Sequence, residues 1–456
     1  MEGVLKTVIR KIKPSEKEAA DIGNFCTSLE KLIKDDFGYD AVVVGSLGKK
    51  TWISGDHDID LFAFFEKGVS KDQLKKDGLE IGKRLADKLK SNFVVKYAEH
   101  PYTQISYKHG KNVFKIDVVP CYRIVKGERI VSAVDRSPLH LRFVLDHLKP
   151  EFRDDVRMLK RFMKGVDVYG SDVKNQGFSG YIAELLIIEY GKFENAIKNI
   201  ASWNPPVRLD LSNKSQRKFN APITIIDPVD IDRNAAAAIS PENLQRLIFY
   251  AGLFLKKPSV KFFYNKPEKL TSPDITKIKK RGTKFIAMVM QRPDEIDDII
   301  WPQLKRALYR LGGALGHQEF VVKRAYEFAD DKNTLLIFEL SVWKLPAIKR
   351  MIGPVIYAKH HVNEFLSKYN NALFGPFVDG EVWVAEKDRE FQNVRDLLEA
   401  FAKSKPAKLI ESGIPDHLAK VMGKVRILED DSFWSFVRKN KLLSEYLKKK
   451  YSEKLC

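Results

Sequence analysis

Cysteine is scarce. Cys26, Cys121 and Cys456 are the three in 456 residues. No pair stands in C-x-x-C or any other metal-ligand spacing, so neither a zinc knuckle nor a disulfide framework organises this chain, and the three read as free thiols in a reducing compartment. Long apolar runs are missing too: none approaches the ~18 residues of a membrane span, and residues 1 to 14 lack the apolar core of a secretion signal. The expectation is a cytoplasmic protein with no membrane partner. Negative charge is also in short supply, with 60 Asp+Glu against 79 Lys+Arg, a net charge of +19. A surface rich in both signs, as in heat-adapted proteins, accounts for abundant Lys and Glu but not for the excess of one sign. The imbalance favours a nucleic-acid partner over an acidic protein or a small molecule.

What is present is concentrated in residues 41 to 60, AVVVGSLGKKTWISGDHDID. Ala41 to Val44 is a short apolar run broken by Gly45-Ser46, and a strand pattern resumes from Ile59 to Phe65. Asp58 and Asp60 stand two apart at the entrance of that strand, so period-two alternation points both carboxylates to one face. Phe114 to Val119 reads as a further strand that could bring Asp117 beside them. Three neighbouring carboxylates repel one another unless cations sit among them. Hard oxygen donors favour Mg²⁺, which binds through a few carboxylates plus substrate phosphates. Gly45 lets the backbone approach a phosphate, and the Ser46 hydroxyl with Lys49 supplies donors and charge. An isolated Asp-x-Asp is as often a turn or a strand-edge pair; Gly45-Ser46 before it and Asp117 after it make this one nucleotidyl-transfer hardware.

The length suggests about three domains. Ser15 with Glu18 predicts a capping box opening a helix that ends near Gly38. Ser70 and Gln73 open another, and strands follow near 93 to 97, 103 to 107 and 114 to 119. Residues 1 to 140 thus form a mixed sheet with helices on one side. Residues 141 to 257 are mainly helical, with a basic stripe Arg157, Lys160, Arg161 and Lys164 that would ordinarily be a solvated face. Pro258 and the turn-rich stretch 264 to 274 mark a boundary, after which a β-α-β-β unit resembles an RNA-recognition or ferredoxin-like sheet. The rest, to residue 456, reads as basic helices around a short strand from Glu381 to Ala385.

Gly45-Ser46, then Asp58-Ile59-Asp60, then Asp117 resembles the signature of the polymerase-beta nucleotidyltransferase superfamily. YAEHPY (97 to 102), AVDRSPLH (133 to 140), RMLKRFMK with VYG (157 to 170), GFSGYIAELL (177 to 186) and DPVDIDRN (227 to 234) narrow the resemblance to the archaeal, class I tRNA CCA-adding enzymes. It covers most of the chain and is weakest after about residue 350. It implies an α+β multidomain fold: a catalytic nucleotidyltransferase domain, a mostly helical central domain and a C-terminal RNA-binding region. The implied activity is template-independent addition of the tRNA 3′ CCA from CTP and ATP with two metal ions, and release of pyrophosphate. The resemblance assigns Asp117 to the ion nearer the primer, Lys160 to the triphosphate, Tyr169 to the nucleotide, His140 to a phosphate, and Arg233 with Asn234 to base selection. Read without it, His140 and the YAEHPY residues Tyr97 and His100 are packing or capping residues, and Arg233 an ion-pair partner of Asp230 or Asp232. The chain departs from the family pattern in two places: Lys49 or Lys50 stands where arginine is expected, and Asp58 where glutamate is common. The nearest alternative is a poly(A) or oligoadenylate polymerase of the same superfamily, and a more distant one is a nonenzymatic RNA-binding protein. The tRNA acceptor stem and 3′ end are the expected partner, and a homodimer is compatible with the reading.

Overall fold

The computed structural model describes residues 1–96, 100–109, 112–125, 128–212, 215–264 and 267–452, so Tyr97 and Cys456 lie outside the described residues. The chain divides into two compact units, residues 1–266 and 267–455.

In the first unit, α1 (Glu2–Ile12) and α2 (Glu16–Phe37) precede β1 (Ala41–Val43), the single turn α3 (Gly45–Gly48) and β2 (Asp58–Phe65). Ser15 caps α2 by accepting from Glu18 N at 3.1 Å. The reciprocal half of the expected capping box is not made. The Glu18 carboxylate instead accepts from Ser54 Oγ at 2.7 Å and Gly55 N at 3.2 Å, because the loop before β2 passes directly over it. α4 (Lys71–Lys88), capped by Ser70, leads to β3 (Asn92–Lys96), β4 (Tyr102–His109) and β5 (Asn112–Tyr122). The sheet order is β1-β2-β5-β4-β3, and β2 and β5 run parallel.

One face of this sheet buries Ile59, Leu61, Ile116 and Val118 against Ile22, Leu29 and Ile33 of α2 and Leu74, Ile81 and Leu85 of α4. Burial of such side chains, at roughly 1.5–3 kcal/mol each, fixes the register. The opposite face is not bare, as the expectation of helices on one side would have it. Phe62 and Cys121 pack there against Val44 and Leu141, the last from α5 (Arg136–His147). Asp58, Asp60 and Asp117 share this second face by strand alternation.

α6 (Arg153–Gly165), α7 (Gly180–Tyr190) and α8 (Phe193–Ala201) follow, then β6 (Val207–Leu209), β7 (Ile223–Asp227), β8 (Asp230–Asn234) and α9 (Pro241–Lys256). Their core holds Leu159, Phe162, Phe193 and Phe254, and α1 contributes Leu5, Val8 and Ile12 to it.

The second unit has α10 (Ser272–Lys279), β9 (Lys284–Gln291), α11 (Asp297–His317), β10 (Val321–Ala329) and β11 (Asn333–Val342), the β-α-β-β unit expected. An insertion follows. β12 (Ile348–Val355), α12 (Lys359–Lys368), β13 (Phe374–Asp379) and β14 (Val382–Asp388) make a separate three-stranded sheet where a single short strand was expected. After α13 (Val394–Lys403), α14 (Pro406–Glu411) and α15 (Asp416–Met422), β15 (Arg426–Glu429) joins the edge of β9, giving the order β10-β11-β9-β15. α16 (Asp430–Lys439) and α17 (Lys441–Ser452) then cover one face, Phe433 and Trp434 packing on Phe285. α11 packs on β10 and β11.

Candidate active site

β2 and β5 pair in register, Asp60 opposite Asp117 and Asp58 opposite Lys115. On the far side of β5, Gln104 of β4 pairs with Asp117, and its Nε2 donates to Asp117 Oδ1 at 2.8 Å. Partial burial, with Asp117 and Asp58 close by, pushes the Asp60 carboxyl up to about 6. Asp117 is raised too, chiefly by burial and partly by Asp58, against the hydrogen bond from Gln104.

Among the described residues the three carboxylates are set more widely than a closed cage, since the trio with ligand atoms within 4.8 Å of one another is His360, His361 and Glu364, all exposed on α12. An open set of hard oxygens on one face suits cations that keep waters and take further ligands from phosphates. Burial is the first cause of the upward shift of Asp60, and the neighbouring Asp117 and Asp58, whose repulsion a divalent cation would offset, add to it. Asp58, Asp60 and Asp117 therefore fit divalent cations.

Gly45 is required twice over. Its φ is +61°, and a Cβ there would lie 2.0 Å from Asp60 Oδ2. Only a residue without a side chain lets the turn lie against the carboxylate. Ser46 follows, half-buried, with no hydrogen bond from its hydroxyl among the described residues. Lys49 and Lys50 then separate sharply. Lys49 is 6% exposed and turns inward, while Lys50 is exposed, its amide donating to Leu47 O at 3.0 Å and its carbonyl accepting from Arg157 Nη2 at 2.7 Å.

The basic stripe of α6 is neither solvated nor open. Arg157 Nε donates to Trp52 O at 2.8 Å and its guanidinium lies over the Trp52 ring. Lys160 donates to Thr51 Oγ1 at 2.9 Å and Glu184 Oε1 at 2.8 Å. Arg161 stacks over Tyr264, and Lys164 pairs with Asp56 at 2.9 Å. Three of the four therefore fasten the loop between α3 and β2, setting where Asp58 and Asp60 begin. Tyr169 is bridged to Phe178, and its hydroxyl lies where a Gly180 Cβ would approach to 2.9 Å.

Two buried acids that sequence reading did not single out tie these parts together. Glu184, 1% exposed, holds Lys49 and Lys160 at 2.8 Å each and accepts from Thr51 Oγ1 at 2.6 Å. Burial alone would raise its carboxyl, but the two ammonium groups take it down to about 2. Asp227, fully buried at the end of β7, accepts from Arg233 Nη1 at 2.6 Å and Tyr181 Oη at 3.2 Å and pairs with His140 Nε2 at 2.9 Å. His140 and Arg233 hold it down at about 2 despite that burial. His140 stacks on Tyr181 at 3.9 Å, and burial pushes its own pKa down. Arg233 is thus ion-paired, but to Asp227; Asp230 faces Arg136 at 3.2 Å and Asp232 faces Arg217 at 3.6 Å. Asn234 is committed to backbone, donating to Ile223 O at 3.0 Å and accepting from Ile225 N and Ala236 N at 3.0 and 2.9 Å. The signal for Glu184 was present in the sequence: it is the carboxylate within IAELLI, where every neighbour is apolar, and a buried charge demands a partner.

Carboxylates on one sheet face beside a close glycine turn are an arrangement suited to nucleotidyl transfer. Residues 26–140 match the nucleotidyltransferase domain family, 154–264 the second domain of tRNA nucleotidyltransferases, and 281–429 the C-terminal domain of CCA-adding enzymes. A CCA-adding enzyme of Methanococcus maripaludis is 37% identical over 422 residues, spanning 89% of this chain and 93% of that one. One of Methanocaldococcus jannaschii is 34% identical over 443 residues, spanning 93% and 95%. Among solved structures, a cytoplasmic RNA terminal U-transferase shares 13% identity at a TM-score of 0.43, covering 59% of this chain and 100% of that one. On the extent and identity of the sequence matches, the chain belongs to the archaeal-type CCA-adding enzymes, nucleotidyltransferases that act on tRNA.

Proposed function

We propose that this enzyme builds or repairs the tRNA 3′ CCA from CTP and ATP, with Mg²⁺ as its metal and the cytoplasm as its compartment. The observation that carries the reading is the in-register pair Asp60 and Asp117 with Gly45 pressed against Asp60. Asp58 and Asp60 would hold both ions and Asp117 the one nearer the primer. Bound there, divalent cations supply activation of the 3′-hydroxyl and neutralisation of the triphosphate and leaving pyrophosphate.

The chain's own groups do the rest. Gly45 lets the backbone reach a phosphate, and Ser46 offers its hydroxyl to it. Lys49 adds a buried positive charge beside the carboxylate face. Lys160 and Tyr169 stand behind it, and His140, neutral because burial lowers it, lines the same wall through its stack on Tyr181. Arg233, with one edge on Asp227, keeps donors for the incoming base, while Asn234 shapes the backbone under it. Residues 1–140 serve catalysis, 141–257 the nucleotide and tRNA end, and 258–456 the body of the tRNA. RNA's deep groove hides its sequence, so the acceptor stem is recognised by shape and backbone. A homodimer is admissible, and mass in solution decides it.

The test is extension of tRNA lacking its 3′ CCA, with CTP and ATP separately and together. Two C additions with CTP alone, and a terminal A only when ATP joins, establish the reading. An adenosine ladder with ATP alone replaces it with a poly(A) polymerase, and binding without transfer replaces it with a nonenzymatic protein.

A further inference from the structure

α12 opens on Lys359-His360-His361, and Glu364 follows one turn later. At about 100° per residue, Glu364 falls about 40° round the helix axis from His360 and about 60° from His361, one turn above and between them. Spacings of four and three residues put its carboxylate within reach of both rings. Oε1 lies 3.9 Å from His360 Nδ1, and Oε2 lies 3.4 Å from His361 Nδ1. The two rings stand edge to face at 88°, with centroids 5.5 Å apart. All three ligand atoms fall within 4.8 Å of one another.

Ligands of a tetrahedral Zn²⁺, bound at 2.0–2.1 Å, stand roughly 3.3 Å apart. Two edges of the trio are near that spacing, and rotation of exposed side chains closes the third. The side chains are 82%, 71% and 65% exposed, so an ion can enter and no packed group has to move. The competing account is a solvated ion pair of Glu364 with one histidine. It leaves the second ring, set against the other carboxylate oxygen, without a use. Imidazole suits Zn²⁺ and its late first-row neighbours, whereas Mg²⁺ prefers oxygen alone. The trio therefore differs in kind from the aspartates of the sheet.

α12 also lacks something that a metal would supply. Its N-cap is Ala358, and no side chain caps the first turn. Its hold on the insertion comes from Val362 and Phe365, the latter lying where a Gly353 Cβ would approach its ring to 2.8 Å. The helix dipole works against a cation at this end, and the Glu364 carboxylate offsets it.

We propose that His360, His361 and Glu364 form a metal site apart from the aspartates, one that takes Zn²⁺ or a similar late first-row divalent cation with water in the fourth position. The ion staples the uncapped first turn of α12 to the second.

The experiment uses the full chain without a histidine tag, stripped with chelator and then held in excess Mg²⁺ at pH 7.5 so that the aspartates are occupied. Zn²⁺ is titrated calorimetrically. The wild type is expected to take one Zn²⁺ at this site with a dissociation constant below about 100 μM. H360A and H361A each weaken that uptake by about tenfold or more, and E364Q by about threefold or more. Co²⁺ in place of Zn²⁺ gives the visible absorption of a tetrahedral site in the wild type and not in H361A. Zn²⁺ slows hydrogen exchange at the first-turn amides of α12 in the wild type alone. Metal-free variants should melt within about 2 °C of wild type, because exposed substitutions change stability little. H361Q serves where H361A melts lower. Uptake weaker than about 100 μM is an adventitious ion only and overturns the site. Uptake that neither H360A nor H361A weakens puts the ion elsewhere on the chain and overturns it equally. Tight uptake with unchanged exchange in α12 overturns the staple.

Discussion

Asp60 and Asp117 are direct partners across the parallel strands β2 and β5, so the backbone itself forces two carboxylates onto neighbouring positions of one face. Neither can relax away without breaking strand register. That relationship makes the site a source of instability whenever its counter-charge is absent.

Asp60→Asn is therefore expected to melt higher than the wild-type chain in chelator at pH 7 to 8. The Asp60 carboxyl is raised to about 6 in the fold, chiefly by burial and then by Asp117 and Asp58. A raised carboxyl contributes stability that is present below its ordinary pKa and lost as pH climbs through about 6. The gain should be of order 1–3 kcal/mol and should close as pH falls toward 4. Transfer should drop by about a thousandfold or more while tRNA binding persists. Mg²⁺ should raise the melting temperature of wild type more than that of the variant.

Gly45→Ala places a methyl 2.0 Å from Asp60 Oδ2 at a φ of +61°. Backbone strain of about 1–3 kcal/mol and displacement of the carboxylate should both follow. The expected result is a loss of transfer of about a hundredfold or more with a smaller fall in melting temperature. Near-wild-type transfer would remove the close approach from the argument.

Asp227→Asn leaves Arg233 and His140 without their shared anion. With His140 neutral and the Arg233 side chain 35% exposed, losing the charged partner should cost about 1–3 kcal/mol, and the reoriented Arg233 should blur the choice between CTP and ATP at each added position. Asp227 is held at about 2, chiefly by His140 and Arg233, so what it contributes is present above its ordinary pKa and lost only as pH falls through about 2. Nucleotide choice should accordingly stay constant from pH 6 to 8 in the wild type, as measured by single-nucleotide incorporation.

In the second unit, Glu339 is fully buried on β11 and accepts from Tyr451 Oη at 2.6 Å and Thr283 Oγ1 at 2.8 Å, with Arg281 at 3.0 Å. Tyr451→Phe should cost about 1–2 kcal/mol in urea unfolding of the chain, because α17 loses its polar latch while its aromatic packing remains. kcat on tRNA should stay within about twofold of wild type.

The catalytic half was readable because its chemistry is local. A two-residue spacing on a strand settles which face Asp58 and Asp60 share, and a glycine before a short turn announces a close approach. What was not legible depended on residues far apart in sequence. Arg157, Lys160 and Lys164 look like any basic helical stripe until the loop at 49–56 is laid across them. Arg233 has acids at 230 and 232 beside it, yet it reaches back to Asp227, since alternation along β8 turns the nearer pair elsewhere. The insertion after β11 escaped for a different reason: β12 is half-buried along most of its length and β13 largely exposed, with no buried position in either to leave a period-two pattern. The closing helices α16 and α17 carried a basic signature that concealed their apolar faces. The sheet they cover resembles an RNA-recognition sheet in order of elements, but its face is filled with Phe433, Trp434 and Leu443 rather than left for bases to stack.

The placement of α1 has a consequence for how the chain is made. Leu5, Val8 and Ile12 have their partners in Leu159, Phe162 and the other residues of the helical core, so the strands that carry the aspartates form an excursion between two halves of one packing unit. During synthesis α1 must wait, solvent-exposed, for about 150 further residues before its apolar stripe has a surface to close on. Contacts of such long sequence separation form late and slowly. The nascent chain thus passes through an interval in which a complete catalytic sheet hangs from an undocked amphipathic helix, and that interval is where assistance from a holding chaperone would matter most.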